Sequence, residues 1–313
     1  MPFYLLPLFF GLMSCSLQKM ALRSSTPVFQ KSSEGMMKEG NWDFFRASSP
    51  GNIKFLELIW MQDRDNDKLL SVLIKSYSGY AFAVPETLFM GDSLSGNDES
   101  QWKNETINFY TRALDYGIQY LNKKGITRKD LLSNDTKKLS QQLEKLGSDD
   151  LMAVLYTGQS WGSLINLQKD NIVLVSQVAN VKALFDFVCS KQPEIDNNIC
   201  DIFYGQYFSA RPKMLGGDPE KGEKLFLTAI KKHPKNLLIR LSYIQNVIVP
   251  SMDLEKYEKH SSILLEEIKK WENMNRENLK DESPYRNQKD LNLYNAIAKE
   301  RLQLIENNKK SIF

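Results

Sequence analysis

Asp218-Pro219-Glu220-Lys221-Gly222-Glu223-Lys224-Leu225-Phe226-Leu227-Thr228-Ala229-Ile230-Lys231-Lys232-His233-Pro234 reads as one helix with both ends marked. Asp218 offers a side-chain oxygen to the unpaired amides of a first turn. Pro219 suits the first helical position, where no N–H is needed, and Glu220 places an acid near the positive end of the helix. Pro234 stops it. Inside, Gly222, Phe226 and Ala229 follow the small–aromatic–small spacing of the second helix of a tetratricopeptide unit, with the proline five residues on. Small residues let two helices approach, and the aromatic ring fills the gap beside them.

The same spacing returns, without the proline in register, at Thr106-Tyr110-Ala113 and Ala183-Phe187-Ser190. Other apolar residues recur at helical intervals: Ile53, Leu56, Ile59 and Trp60; Ile107, Tyr110, Leu114, Gly117 and Leu121; Leu291, Ala298, Leu302 and Ile305. Asn171 to Ser176 is the best strand candidate, yet it stands between helical patterns and reads as a connection. Gly91 to Asn97 reads as a polar loop, Pro250 as a helix stop, and Ser283-Pro284 as the start of the last helix. These signals predict an all-α fold, a degenerate tetratricopeptide-like array of helical hairpins (an α-solenoid).

The chain has 313 residues, of which 42% are hydrophobic and 25% charged. That balance excludes collagen-like, low-complexity and wholly disordered chains. Lys and Arg number 41 against 38 Asp and Glu, and the two signs are mixed, so charge gives no case for nucleic acid. Two His and three Cys leave little material for a metal site or a nucleophile. No metal and no cofactor are expected, and no nucleophile–base arrangement points to an enzyme.

The N-terminus reads as an address. Residues 3–14 form an apolar run too short to span a bilayer, ending in Leu12-Met13-Ser14-Cys15. That ending resembles a bacterial lipobox, with Cys15 as the acylated residue and 1–14 as the signal peptide. Acyl chains anchor because each buried methylene contributes about 0.8 kcal/mol. Residues 15–35, rich in Ser, Lys and Gln, read as a flexible tether, and 36–313 as the folded domain.

The order of features along the body is familiar. Tyr110-Thr111-Arg112-Ala113-Leu114-Asp115-Tyr116-Gly117 closes an early helix, and Trp161-Gly162 sits late in another. Phe203-Tyr204-Gly205-Gln206-Tyr207-Phe208-Ser209-Ala210-Arg211-Pro212 leads to Leu215-Gly216-Gly217-Asp218-Pro219. The chain ends with Asn295-Ala296-Ile297-Ala298-Lys299-Glu300-Arg301, aliphatic residues and Phe313. Over residues 36–313 this series resembles the TatT family, the T-component lipoproteins of tripartite ATP-independent periplasmic (TRAP) transporters. The resemblance implies a non-catalytic, lipid-anchored periplasmic protein that forms homotrimers. It also implies a cavity opening toward a DctP-like substrate-binding protein, which handles a small organic-acid or apolar ligand.

Within that frame several residues are ligand candidates. Tyr204, Tyr207 and Arg211 share a helix face by spacing, as a cavity wall with a cation for a carboxylate or as a plain helix seam. Trp161 is a ligand contact or core packing, with Gln159 nearby as a polar partner. Asn295 lies on an apolar face and needs partners there, from backbone or ligand. Cys189 and Cys200 are bonded across a hairpin or are two buried thiols. Gly216-Gly217 lacks the ending of a phosphate loop and reads as a turn before the cap. The rival to the transporter component is a generic tetratricopeptide-like lipoprotein scaffold for envelope assembly, which would have a concave groove and no internal cavity.

Overall fold

The computed structural model describes residues 6–133, 135–211, 213, 216–276, 285 and 287–313, with the backbone alone at 6–18 and 274–276. Among the described residues every regular element is a helix. The longer ones are α1 (Leu6–Met36), α2 (Trp42–Gln62), α3 (Asp67–Ala83), α4 (Pro85–Leu94), α5 (Gln101–Lys123), α6 (Thr136–Leu143), α7 (Leu151–Leu167), α8 (Val178–Lys191), α9 (Ile195–Ser209), α10 (Pro219–Lys232), α11 (Leu237–Tyr243), α12 (Leu254–Arg276) and α13 (Asn292–Asn307).

Local chemistry starts these helices where the sequence predicts. Asp218 caps α10, its carboxylate accepting from the Lys221 amide at 3.1 Å. Gly216 takes a left-handed φ of +78° in the turn before it. Asn41, Asn66, Ser100 and Asp135 cap α2, α3, α5 and α6 in the same way. Two of the small–aromatic–small series point inward throughout: Thr106, Tyr110 and Ala113 are wholly buried, and Gly222, Phe226 and Ala229 are buried; of the third, Ala183 and Phe187 join the core but Ser190 is exposed.

Packing follows chain order. α2 lies on α3, α3 on α5, α5 on α7, α7 on α8, α8 on α9, α9 on α10, and α10 on α11. The end then returns to the beginning, because α13 packs against α4 and α2 as well as α11 and α12. Arg301 of α13 makes that closure, donating to Thr87 Oγ1 at 2.9 Å and to the Phe82 carbonyl at 2.5 Å.

Two local expectations change. α4 runs through Gly91 to Leu94, so the loop begins later than the glycine suggests; Gly91 is a contact point, where an added Cβ would meet Leu304 of α13 at 3.0 Å. Residues 15–35, expected as a flexible tether, lie in α1. Arg23 pairs with the buried Asp63 at 2.6 Å, and Asn66 donates to Thr26 Oγ1 at 2.8 Å, so the helix is docked on the body. These partners lie 40 residues apart, out of reach of any local pattern. Asn171 to Ser176 is a connection, containing a single helical turn capped by Asn171. The expected cap at Ser283-Pro284 lies outside the described residues.

Cys189 and Cys200 form a disulfide with Cα atoms 5.9 Å apart. Between them Asp196, Asn197 and Asn198 have φ of 47°, 58° and 70°, three left-handed residues in succession. Such a run costs about 1–2 kcal/mol per ordinary residue, and Asp and Asn tolerate it best. The covalent loop, the amide of Asn236 on the Asn197 carbonyl (2.7 Å) and the amide of Asn197 on the Asp290 carbonyl (3.3 Å) hold it in place. Cys189→Ser with Cys200→Ser should therefore lower stability by about 3 kcal/mol, the loop-closure value for a ring of this size. Equilibrium denaturation of the oxidised protein and the double variant measures it, and coincident curves would show that the bond constrains nothing.

Candidate functional site

Because α13 packs back against α2 and α4, the helices surround a space. A cavity of about 50 Å³ lies there, walled by Phe45, Ser49 and Ile53 of α2, by Lys75, Ser76, Gly79, Tyr80 and Phe82 of α3, and by Tyr156 and Gln159 of α7. Ile199 of α9 and Leu293, Tyr294 and Ile297 of α13 complete the wall, and Ser33 and Met36 from the end of α1, with Met37 just after it, border it. The segment after α1 is tied to α13: the Leu293 amide donates to the Met37 carbonyl at 3.0 Å, and the Asn292 amide to the Lys38 carbonyl at 3.0 Å.

The surface is mostly apolar, with one polar cluster. Asp196 stands behind the wall and accepts the hydroxyls of Tyr156 (2.5 Å) and Tyr294 (2.6 Å) on Oδ2. Its Oδ1 faces the Lys75 ammonium at 3.3 Å. Burial first, then the Asp196 charge, drive both tyrosines far above the usual phenol range, so their hydroxyls stay protonated. The left-handed turn is what brings Asp196 to this position.

None of the five ligand candidates borders this cavity. Trp161 is buried, its indole N–H donating to Gln177 Oε1 at 2.9 Å. Tyr204 donates to Asp186 at 2.8 Å, and Arg211 stacks over the Tyr207 ring at 3.4 Å. Tyr207 also packs on Phe203, which stacks face to face on Phe185 of α8 at 3.6 Å. This is a helix seam with cations over its outer rings. Asn295 is wholly buried and accepts the Leu237 amide at 3.0 Å, a backbone role between helices. Gln159, weighed in the sequence as a polar partner near Trp161, does reach the wall.

A second, shallower groove runs between α2 and α5, lined by Lys54, Glu57, Met61, Arg112, Asp115, Tyr116 and Gln119. Its buried carboxylate is fully occupied: Glu57 accepts from Lys54 (2.6 Å), Tyr116 (2.5 Å) and Tyr77 (3.0 Å). Burial pushes the Glu57 carboxyl up, but these hydrogen bonds outweigh it and hold the group below its ordinary range. The cluster joins α2, α3 and α5, which makes it structural.

An all-helical ring around an apolar cavity fits the resemblance carried by residues 110–117, 203–219 and 295–301. The family model of the TRAP transporter T-component (TAtT) matches residues 39–313. The chain belongs to that family. No curated protein matches it. The T-component match runs from just before α2 through the C-terminal residue and leaves all of α1 outside. T-components are accessory parts of transporters.

Proposed function

We propose that this T-component is a non-catalytic periplasmic lipoprotein, anchored through Cys15. It assembles as a homotrimer, docks a DctP-like substrate-binding protein and holds a small organic-acid or apolar ligand in the ring cavity. The observation that carries the reading is the cavity itself, a largely apolar space walled by helices from both ends of the chain. α2 adds support: Phe44 and Phe55 are more than half exposed, with Leu58 and Met61 beside them, an apolar stripe of the kind that assembly covers. A generic envelope scaffold would need a concave groove and no enclosed space.

The test is capture from membranes. Tagged protein solubilised in mild detergent should bring down a periplasmic substrate-binding protein, and light scattering should give three times the chain mass. Cys15→Ala should move the protein from the detergent phase to the aqueous phase. Recovery of no binding protein across several salt concentrations, together with a monomeric mass, would overturn the transporter role in favour of the scaffold.

A further inference from the structure

The cavity reading leaves open what charge the ligand carries, and the polar cluster bears on that. Lys75 is, among the described residues, the only charged side chain in the cavity wall. A ligand carboxylate entering this space would look for Lys75 and for the hydroxyls of Tyr156 and Tyr294. All three already serve Asp196, the two tyrosines on Oδ2 and the lysine on Oδ1. The side chain of Asp196 is 5% exposed and that of Lys75 14%, so neither charge is screened well by water. The cavity thus carries its own acid. Its ammonium is neutralised, its phenol donors are spent, and a second carboxylate beside Lys75 would meet Asp196 in a poorly screened setting.

Resting on the proposed ligand-holding role, we infer that the cavity selects neutral apolar ligands with a hydrogen-bonding group and rejects ionised acids, with Asp196 as the residue that sets this choice. Gln159 borders the same space and offers an uncharged partner to an alcohol, amide or ester, while Ser49 and Ser76, whose hydroxyls donate to the Phe45 and Val72 carbonyls, can accept from an alcohol or amide. The device is built in rather than incidental. Asp196 reaches the wall only through the left-handed turn, and that turn is clasped by the Cys189–Cys200 bond and by Asn236.

The matched probes are 1-decanol and decanoate at neutral pH, below the micellar concentration, titrated calorimetrically into the full chain. The wild type should bind decanol at least about tenfold more tightly than decanoate, a difference of about 1.4 kcal/mol. Asp196→Asn removes the resident charge and keeps an oxygen for the tyrosines, and Asn is well accepted in a left-handed conformation. It should raise decanoate affinity by about tenfold and leave decanol unchanged. Adding Lys75→Met to that variant should abolish the gain, because the unmasked cation is its source. A wild type that binds decanoate as tightly as decanol, or an Asp196→Asn variant without the gain, overturns the charge selection alone. A wild type that takes neither probe overturns the cavity reading with it.

Discussion

Arg301→Met should cost this protein about 3–5 kcal/mol, the range for removing one partner of a buried charged pair. Arg301 is 5% exposed, and its guanidinium serves three groups at the junction of α3 and α4: Thr87 Oγ1, the Phe82 carbonyl and Glu86 Oε1 at 3.1 Å. It also lies over the Phe82 ring at 4.2 Å. The Phe82 carbonyl lies at the break between α3 and α4, where Val84 leaves α3 and Pro85 begins a new helix, and it also accepts the Thr87 hydroxyl at 3.4 Å. Glu86 in turn accepts the Tyr110 hydroxyl at 2.5 Å. Methionine fills similar volume but leaves the carboxylate and the carbonyl short of a partner. For a domain this large each kcal/mol shifts the midpoint by about 2–4 °C, so the melt should fall by about 10 °C. Arg301→Lys keeps the charge without the planar fork and should lose less. Adding Glu86→Gln to Arg301→Met should recover part of the loss, since the stranded charge is then gone. A midpoint within about 1 °C of wild type would mean that the ring closes without this contact.

The same residue shows where a sequence stops being readable. Asn295 to Arg301 is visible as a motif, and the aliphatic stripe through Leu291, Ala298, Leu302 and Ile305 predicts a buried helix face correctly, since all four are buried. Periodicity says that residues share a face; it does not say which helix the face meets. Arg301 finds partners 214 and 219 positions earlier, and nothing local announces that. Tyr204, Tyr207 and Arg211 illustrate the same limit. Their spacing puts them on one face, but that face meets the aromatic side of α8 and not the cavity. Helix starts were legible because a cap is a matter of three or four adjacent residues. The cavity was not, because its wall takes one to five residues from each of six helices. One signal was there to use: Asp196-Asn197-Asn198 between two cysteines is a run of the residue types that tolerate left-handed backbone.

The glycine that first suggests helix hairpins also gives a sharp quantitative test. In an ordinary helix interior, Gly→Ala stabilises by about 1 kcal/mol. At Gly222 the sign should reverse. An added Cβ would lie 2.2 Å from Ser209 Oγ, 2.7 Å from the Ser209 amide nitrogen and 2.9 Å from the Gly205 carbonyl. The hydroxyl can rotate away, but the two backbone atoms cannot, so α10 has to back off from α9. Doing so opens the neighbouring contact, where Gly205 sits against the Phe226 ring so closely that a Cβ there would be 2.7 Å from it. Overpacking of this kind costs about 1–3 kcal/mol, enough to overcome the helical gain. Gly51, in the exposed middle of α2 with nothing within 4 Å of an added Cβ, is the internal control. Gly51→Ala should stabilise by up to about 1 kcal/mol, and Gly222→Ala should destabilise by about 2 kcal/mol. Urea titrations of the two variants beside wild type separate the cases. If both move the midpoint upward, α9 and α10 do not approach closely, and the hairpin reading of the array fails at its best-matched unit.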